Sequence, residues 1–365
     1  MAVKVSDTIL LIPLLMAVQA PSAGALDLSN LAPNRWHAVQ PAWHYPPGLG
    51  QGAYQGRGWG TLRAIPARGT VVFYEGFGPS RRGHYCIYAN ALYEFDPATE
   101  RVDMLSIGNW YCQSGSKTLP LPENEVAPTP KDRHTYAQFA YAPTTDRVYL
   151  AAGASSSGGH PFDFWSFSLS SRRWERLGDI PAGIPRWGCI CEGNLIWNSG
   201  DNRLYLFVGA NPVYAFDLKD NSWKTVATKG TARIIGSHGT YDARRNRFVF
   251  YGNNWTADER GSDAMVIFDV ATATWSNEPL SSPWPPAKSY ASLEYNEKHD
   301  AYMLHGGRGH NDTWAYFPAR QGWTRIESPT RTAANSASTY FAYDSRNDIL
   351  INFAGQRMWV MRWVP

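Results

Sequence analysis

A repeated all-β fold is predicted by three observations. The composition favours strands and tight turns, aromatic landmarks recur about every fifty residues, and each landmark sits in the same local pattern. Of 365 residues, 44% are hydrophobic and 18% charged, enough apolar material to bury a large core and too little charge for a disordered chain. The 16 Trp and 20 Tyr suit pleated strands, and the 32 Gly and 25 Pro suit the turns between them. A formal net charge of +3 gives no whole-surface field of the kind that holds a protein on nucleic acid, so any basic site must be local.

The repeat carries the elements in order. A strand ending in an aromatic residue is followed seven positions later by Trp: Phe167 and Trp174, Phe216 and Trp223, Phe268 and Trp275, Tyr316 and Trp323. Successive copies are spaced by 49, 52 and 48 residues, the period of propeller blades. Before each copy comes an aromatic, a turn rich in Asp, Asn or Arg, an apolar strand and a glycine. The spans are Tyr141 to Gly153, Trp197 to Gly209, Tyr241 to Gly252, Tyr295 to Gly307 and Tyr343 to Gly355. Each unit therefore reads as a strand, a turn, a second strand ending at Gly, a loop, an aromatic third strand and a Trp-led fourth.

These residues resemble the kelch repeat. The resemblance is carried by Gly306-Gly307 at the end of a second strand, by the Asp-x-Trp of Asp312-Thr313-Trp314 and Asp163-Phe164-Trp165, and by the later Trp. It covers nearly the whole chain after residue 25. The doubled glycine is single elsewhere, and the first copy has Val102 where Trp is expected. The resemblance implies an all-β, kelch-type β-propeller.

Six blades are predicted, or seven if residues 40–60 and 104–130 supply strands. A first copy runs from about Thr61 to Phe95-Asp96-Pro97. The last begins near Ala333, and Met358 to Val364 leaves no room for a fourth strand. The segment around Trp36 has a fourth strand's character without three predecessors. It is expected to complete the C-terminal blade, closing the ring and removing its edges. Residues 26–365 then form one propeller domain with a long loop excursion at about 104–130.

Residues 1–25 read as a signal peptide: Lys4, an apolar run from Ile9 to Val18, and Ala23-Gly24-Ala25 as a cleavage site. The apolar run is too short to span a bilayer, so a secreted protein, extracellular or periplasmic, with no membrane span is expected. Export permits disulfides. Cys86 with Cys112 is the favoured pair, while Cys189 and Cys191 suit a strained bridge, buried thiols or half a metal site. Asn254-Trp255-Thr256 and Asn311-Asp312-Thr313 are glycosylation sequons.

The kelch resemblance places the turns entering the inner strands on one face with the loops between second and third strands. The entering turns bring Arg133, His134, Arg186, Trp187, Arg233, Lys288, Tyr290 and Arg331. The loops bring Arg81, Arg82, His84, His160, Arg308 and His310, and acids there are fewer. Such a basic channel mouth would attract a polyanion, Arg offering paired donors to carboxylate or sulfate. Arg at the start of an inner strand equally serves to hold a neighbour's carbonyls or acids. His134 and Tyr136 stand two apart and face one side of a strand; His238 occupies the same stage of its own blade.

Two readings of different class follow. One is a secreted, monomeric binding module holding an acidic polysaccharide or a protein partner. The other is a polysaccharide lyase cleaving a uronic-acid polymer by β-elimination, with catalytic candidates His134, Tyr136, His160 and Arg186. A copper radical oxidase is the weaker alternative, because its cysteine–tyrosine ligand set is not assembled by these residues. No Gly-x-Ser-x-Gly elbow or phosphate loop is present, and no cofactor is predicted.

Overall fold

The spacing of seven between paired aromatics is the register of a β-hairpin. The computed structural model describes residues 26–44, 60–74, 85–88, 91–106, 111–113, 128–131, 133–154, 160–182, 192–209, 212–252, 262–279, 282–334, 340–354 and 357–365. In it Phe167 lies directly opposite Trp174, Phe216 opposite Trp223, Phe268 opposite Trp275 and Tyr316 opposite Trp323. Five positions after each first aromatic the chain turns through a left-handed residue: Arg172, Asn221, Ala273 and Gln321, with φ between 49° and 54°. The other hairpin of each repeat has the same design. Tyr141 faces Val148 across a turn whose left-handed corner is Asp146, and Asn202, Asn246, Asp300 and Asp348 hold that corner in later copies. Asn and Asp tolerate this conformation better than most residues, which accounts for the polar turns.

Two such hairpins joined side by side make a four-stranded antiparallel blade. Blade 1 comprises Leu62–Ile65, Thr70–Tyr74, Leu92–Asp96 and Arg101–Ser106. Blade 2 comprises Phe139–Ala142, Arg147–Ala151, Asp163–Ser168 and Arg173–Asp179, and blade 3 Asn194–Asn198, Arg203–Phe207, Val213–Asp217 and Ser222–Val226. Thr240–Asp242, Arg247–Tyr251, Met265–Asp269 and Thr274–Asn277 form blade 4; Ser292–Asn296, Ala301–His305, Thr313–Phe317 and Gly322–Arg325 form blade 5. Blade 6 takes Tyr340–Asp344, Ile349–Ala354 and Arg357–Met361 from the C-terminal end and His37–Val39 from the N-terminal end. His37 pairs with Val360 and Val39 with Met358, the closure expected from Trp36 and its neighbours. The inner strands touch from blade to blade all the way round, the last against the first. The core is divided accordingly: each of six apolar clusters lies between two adjacent blades.

Residues 40–60 do not seed a seventh blade within the described part. Ala42–His44 instead adds a fifth strand, parallel, to the outer edge of blade 1. There Trp43 sits opposite Val102 and packs edge-on against Phe73 and Tyr93. The blade that lacks its own Trp receives one from the N-terminal segment. Of the excursion at 104–130, residues 104–106 finish blade 1, and Tyr111–Gln113 pairs with Tyr85–Tyr88, Cys86 facing Cys112 in register. Cys189, Cys191, Asn254 and the segment 1–25 lie outside the described residues. No described helix is long and apolar enough to cross a membrane.

Candidate functional site: the central channel and its loop face

Two of the predicted ligand cations are internal. The Arg133 side chain is fully buried and forks onto Asp163 at 2.6 and 3.0 Å; Nη1 also reaches Ala152 O and Nε reaches Lys131 O. Asp163 takes a third bond, from the Trp165 indole at 2.6 Å. In blade 5 the fully buried Lys288 repeats the arrangement, donating to Asp312 at 2.6 Å and to Gly306 O at 2.8 Å, while Trp314 donates to Asp312 at 2.6 Å. Burial pushes Asp163 and Asp312 up, and their cation and indole partners outweigh it, leaving both below the ordinary value. Burial holds Lys288 down, with Asp312 opposing it. The accepting carbonyls lie in a sharp left-handed corner: Ala152 and Gly153 at φ 46° and 110°, Gly306 and Gly307 at φ 68° and 104°. The Asp-x-Trp and double-glycine signatures are thus one object, a buried cation tied to an aspartate, an indole and a corner. Arg133 and Lys288 hold their blades together in place of the expected ligand contact.

The channel mouth on this face is filled by aromatic rings. Tyr136 and Tyr290 enter from blades 2 and 5, opposite each other in a ring of six, and their centroids are 6.1 Å apart. Both are buried and both have left-handed backbone, φ 48° and 57°, which a bulky residue adopts only where its surroundings over-determine it. The Tyr290 hydroxyl donates to Glu192 at 2.8 Å, and its backbone N–H to Gly236 O. His134 lies edge-on to Tyr136 at 5.9 Å and pairs its backbone with Ala154. Burial lowers its pKa to about 4, so the imidazole is neutral near pH 7. His238, 2% exposed, meets Ser292 Oγ at 3.0 Å, and burial with the nearby Arg63 charge lowers it to about 3. The structure brings His134 and Tyr136 together, as expected; it places them within the packing.

The remaining candidates divide between surface and undescribed chain. Arg233, Arg308 and Arg331 are exposed on this face. His160 and His310 are half-buried there, His310 with its Nδ1 3.8 Å from Asp312. Arg81, Arg82, His84, Arg186 and Trp187 lie outside the described residues. The Asn311 sequon is engaged internally, Nδ2 donating to Thr332 O at 2.8 Å. His305 is a core residue between Thr313 and Thr332. Among the described residues no group of three His, Cys, Asp or Glu could hold a metal ion.

Sequence reasoning missed the channel interior. Arg63 of blade 1 and Glu294 of blade 5 meet inside it at 3.2 Å, their side chains 14% and 20% exposed. Arg63 also donates from Nε to Phe139 O and from Nη1 to Thr61 Oγ1 and Leu62 O. Burial raises Glu294 to about 7 despite the guanidinium beside it. Below this pair, toward the turns between first and second strands, a cavity of about 270 Å³ opens, lined from all six blades. The only sequence signal was the aromatic landmark series itself, whose Trp197, Tyr241 and Tyr295 stand in its wall.

Comparison with known proteins agrees with this architecture. Residues 140–355, more than half of the chain, match the family model described as KLHDC2/KLHL20/DRC7 Kelch-repeats domain. A Rab9 effector protein with kelch motifs from Xenopus laevis is 24% identical over 194 residues, covering 50% of this chain and 49% of that protein. The match thus spans about half the length of that relative.

Proposed function

Because the chain belongs to the kelch-repeat propeller family, we propose that it is a binding module that holds an acidic protein partner on its loop face, without chemistry. The observation that carries this reading is the division of the cations. Arg133 and Lys288 are committed inside, while Arg233, Arg308 and Arg331 stand exposed around a mouth plugged by Tyr136 and Tyr290. A partner would therefore lie across the face, where exposed Arg offers paired donors to carboxylates. A relative named as an effector of Rab9 supports a protein as the partner.

A sulfated or uronic-acid polysaccharide is the second ligand of the same face, since it would use the same cations. The lyase reading draws less support: His134 and Tyr136 are packed, and the first lacks an open approach for a sugar C–H. Export through residues 1–25 completes the proposal and would put the propeller outside the cytoplasm.

Calorimetric titration with poly-glutamate, polygalacturonate and a heparin-type polysaccharide tests the reading, each repeated in Arg308→Glu/Arg331→Glu. Binding to poly-glutamate that weakens with salt and at least tenfold in the double variant is expected. Binding that ignores the charge reversal would overturn it. New ultraviolet absorbance from a conjugated double bond would make the protein a lyase instead.

A further inference from the structure

The channel's other end has a different chemistry. We propose that the cavity on the turn side is a cup for an organic cation, a primary ammonium or guanidinium group offered by a free amine or by a partner's basic side chain.

What the cup presents to a visitor is acceptors and rings. At its floor Glu294 uses Oε1 for Arg63, and Oε2 makes no hydrogen bond among the described residues. Arg63 offers little in return: Nε and Nη1 point at Phe139 O, Thr61, Leu62 O and Glu294, and Nη2 is sealed from solvent. At the rim Glu297 is an exposed second carboxylate. The half-buried Trp197, Tyr241 and Tyr295 have already turned their polar atoms to their own corners, Asn202, Asn246 and Asp300. Their rings are what remains for a ligand, and a cation against such rings is attracted by the aromatic quadrupole. An anion entering here would meet the carboxylates of Glu294 and Glu297, against which the cavity sets one guanidinium, Arg63, whose Nε and Nη1 are already engaged and whose unpartnered Nη2 is shut off from solvent. The volume, about 270 Å³, suits a chain of a few carbons ending in one charged group. The raised Glu294 agrees: one guanidinium does not compensate this buried carboxylate, and a second cation would.

The cup lies opposite the loop face, so the two proposals stand or fall separately. The full chain is titrated with n-butylamine and agmatine, with n-butanol as neutral control, following Trp fluorescence and heat. A short lysine peptide and its acetyl-lysine counterpart form a second arm. Saturable binding of an amine, absent for butanol and at least tenfold weaker in Glu294→Gln, is expected, with Arg308→Glu/Arg331→Glu unchanged. Tighter binding of the lysine peptide than of free amine, lost on acetylation, assigns the cup to a partner's side chain; the reverse assigns it to a small amine. Should Glu294→Gln fail to fold by circular dichroism, Trp197→Leu and Glu297→Gln each must weaken amine binding at least threefold. No saturable amine binding in either arm, or affinity untouched by these substitutions, overturns the proposal.

Discussion

Tyr295 donates its hydroxyl to Asp300 across 2.9 Å, and the acceptor is the left-handed corner of the turn that ends Tyr295's own strand. The same five-residue link joins Tyr141 to Asp146, Trp197 to Asn202, Tyr241 to Asn246 and Tyr343 to Asp348. These turns also latch neighbouring blades. Arg68 reaches Asp146, Thr144 reaches Asn202, Arg245 forks onto Asp300, Lys298 meets Asp348, and Asn347 returns to Gly69 O. Blade 1 has Ala64 and Gly69 at the two linked positions; glycine reaches the left-handed corner, φ 70°, without a side-chain link.

Asp300 is the most heavily used of these corners, and Asp300→Ala is expected to cost about 1–3 kcal/mol, since Arg245 loses its fork and keeps only Asp242, and the Tyr295 hydroxyl loses its acceptor. The Arg245 bonds hold its carboxyl down at about 2, burial opposing. A carboxyl lowered on folding contributes stability above its unfolded pKa near 4, lost as pH falls toward 2. Urea unfolding of both proteins at neutral pH, then toward pH 2, should show the gap shrinking.

Lys288→Met keeps the volume and removes the charge, leaving Asp312 with its indole but no cation. A loss of about 3 kcal/mol or more is expected, read as a lowered Tm with partner binding intact in the folded fraction. A folded, equally stable variant that loses binding would return Lys288 to the ligand face.

Three buried histidines set an acid limit. His134, His238 and His305 are lowered by burial to about 4, 3 and 3 respectively. Unfolded chain takes up protons near pH 6.5 and native chain does not, so stability is full above that pH and falls below it, down to about pH 4 for His134 and about 3 for His238 and His305. Each group contributes a slope of up to about 1.4 kcal/mol per pH unit. Glu294, raised to about 7 by burial, acts in the opposite sense: its contribution is present at low pH and is lost as pH rises through 7. Tm measured from pH 4 to 8 should therefore rise more steeply above pH 5 in Glu294→Gln than in the parent.

Trp43→Ala removes the ring that blade 1 borrows, and with it contacts to Phe73, Tyr93 and Phe353. A cost of about 3 kcal/mol is expected by thermal or chemical unfolding. Val102→Trp in the same background tests whether the blade can carry its own indole; no recovery would mean the parallel strand itself holds the edge.

The hairpins were legible in the sequence because their registers are local: a cross-strand pair seven apart and a corner five apart are written in consecutive residues. Closure by the Trp36 strand was legible because one blade lacked what an orphan segment had. The site was not, because its decisive partners are distant in the chain. Arg133 finds Asp163 30 residues away, and Arg63 finds Glu294 231 residues away. Position alone makes Arg133 and Arg308 look alike, yet one is buried and the other exposed. Trp43 escaped for the same reason: its partner Val102 appeared only as a departure from the repeat.

The strap that closes the ring also sets an order of events during synthesis. Asn34 bonds Val364 at a separation of 330 residues, and His37–Val39 has no strand to join until Arg357–Met361 has been made. Local hairpins can form as they emerge, but the first-made segment must wait for the last. Through that interval a nascent chain carries an unpaired blade edge and an uncovered Trp36, the features that chaperones shield and that invite intermolecular pairing.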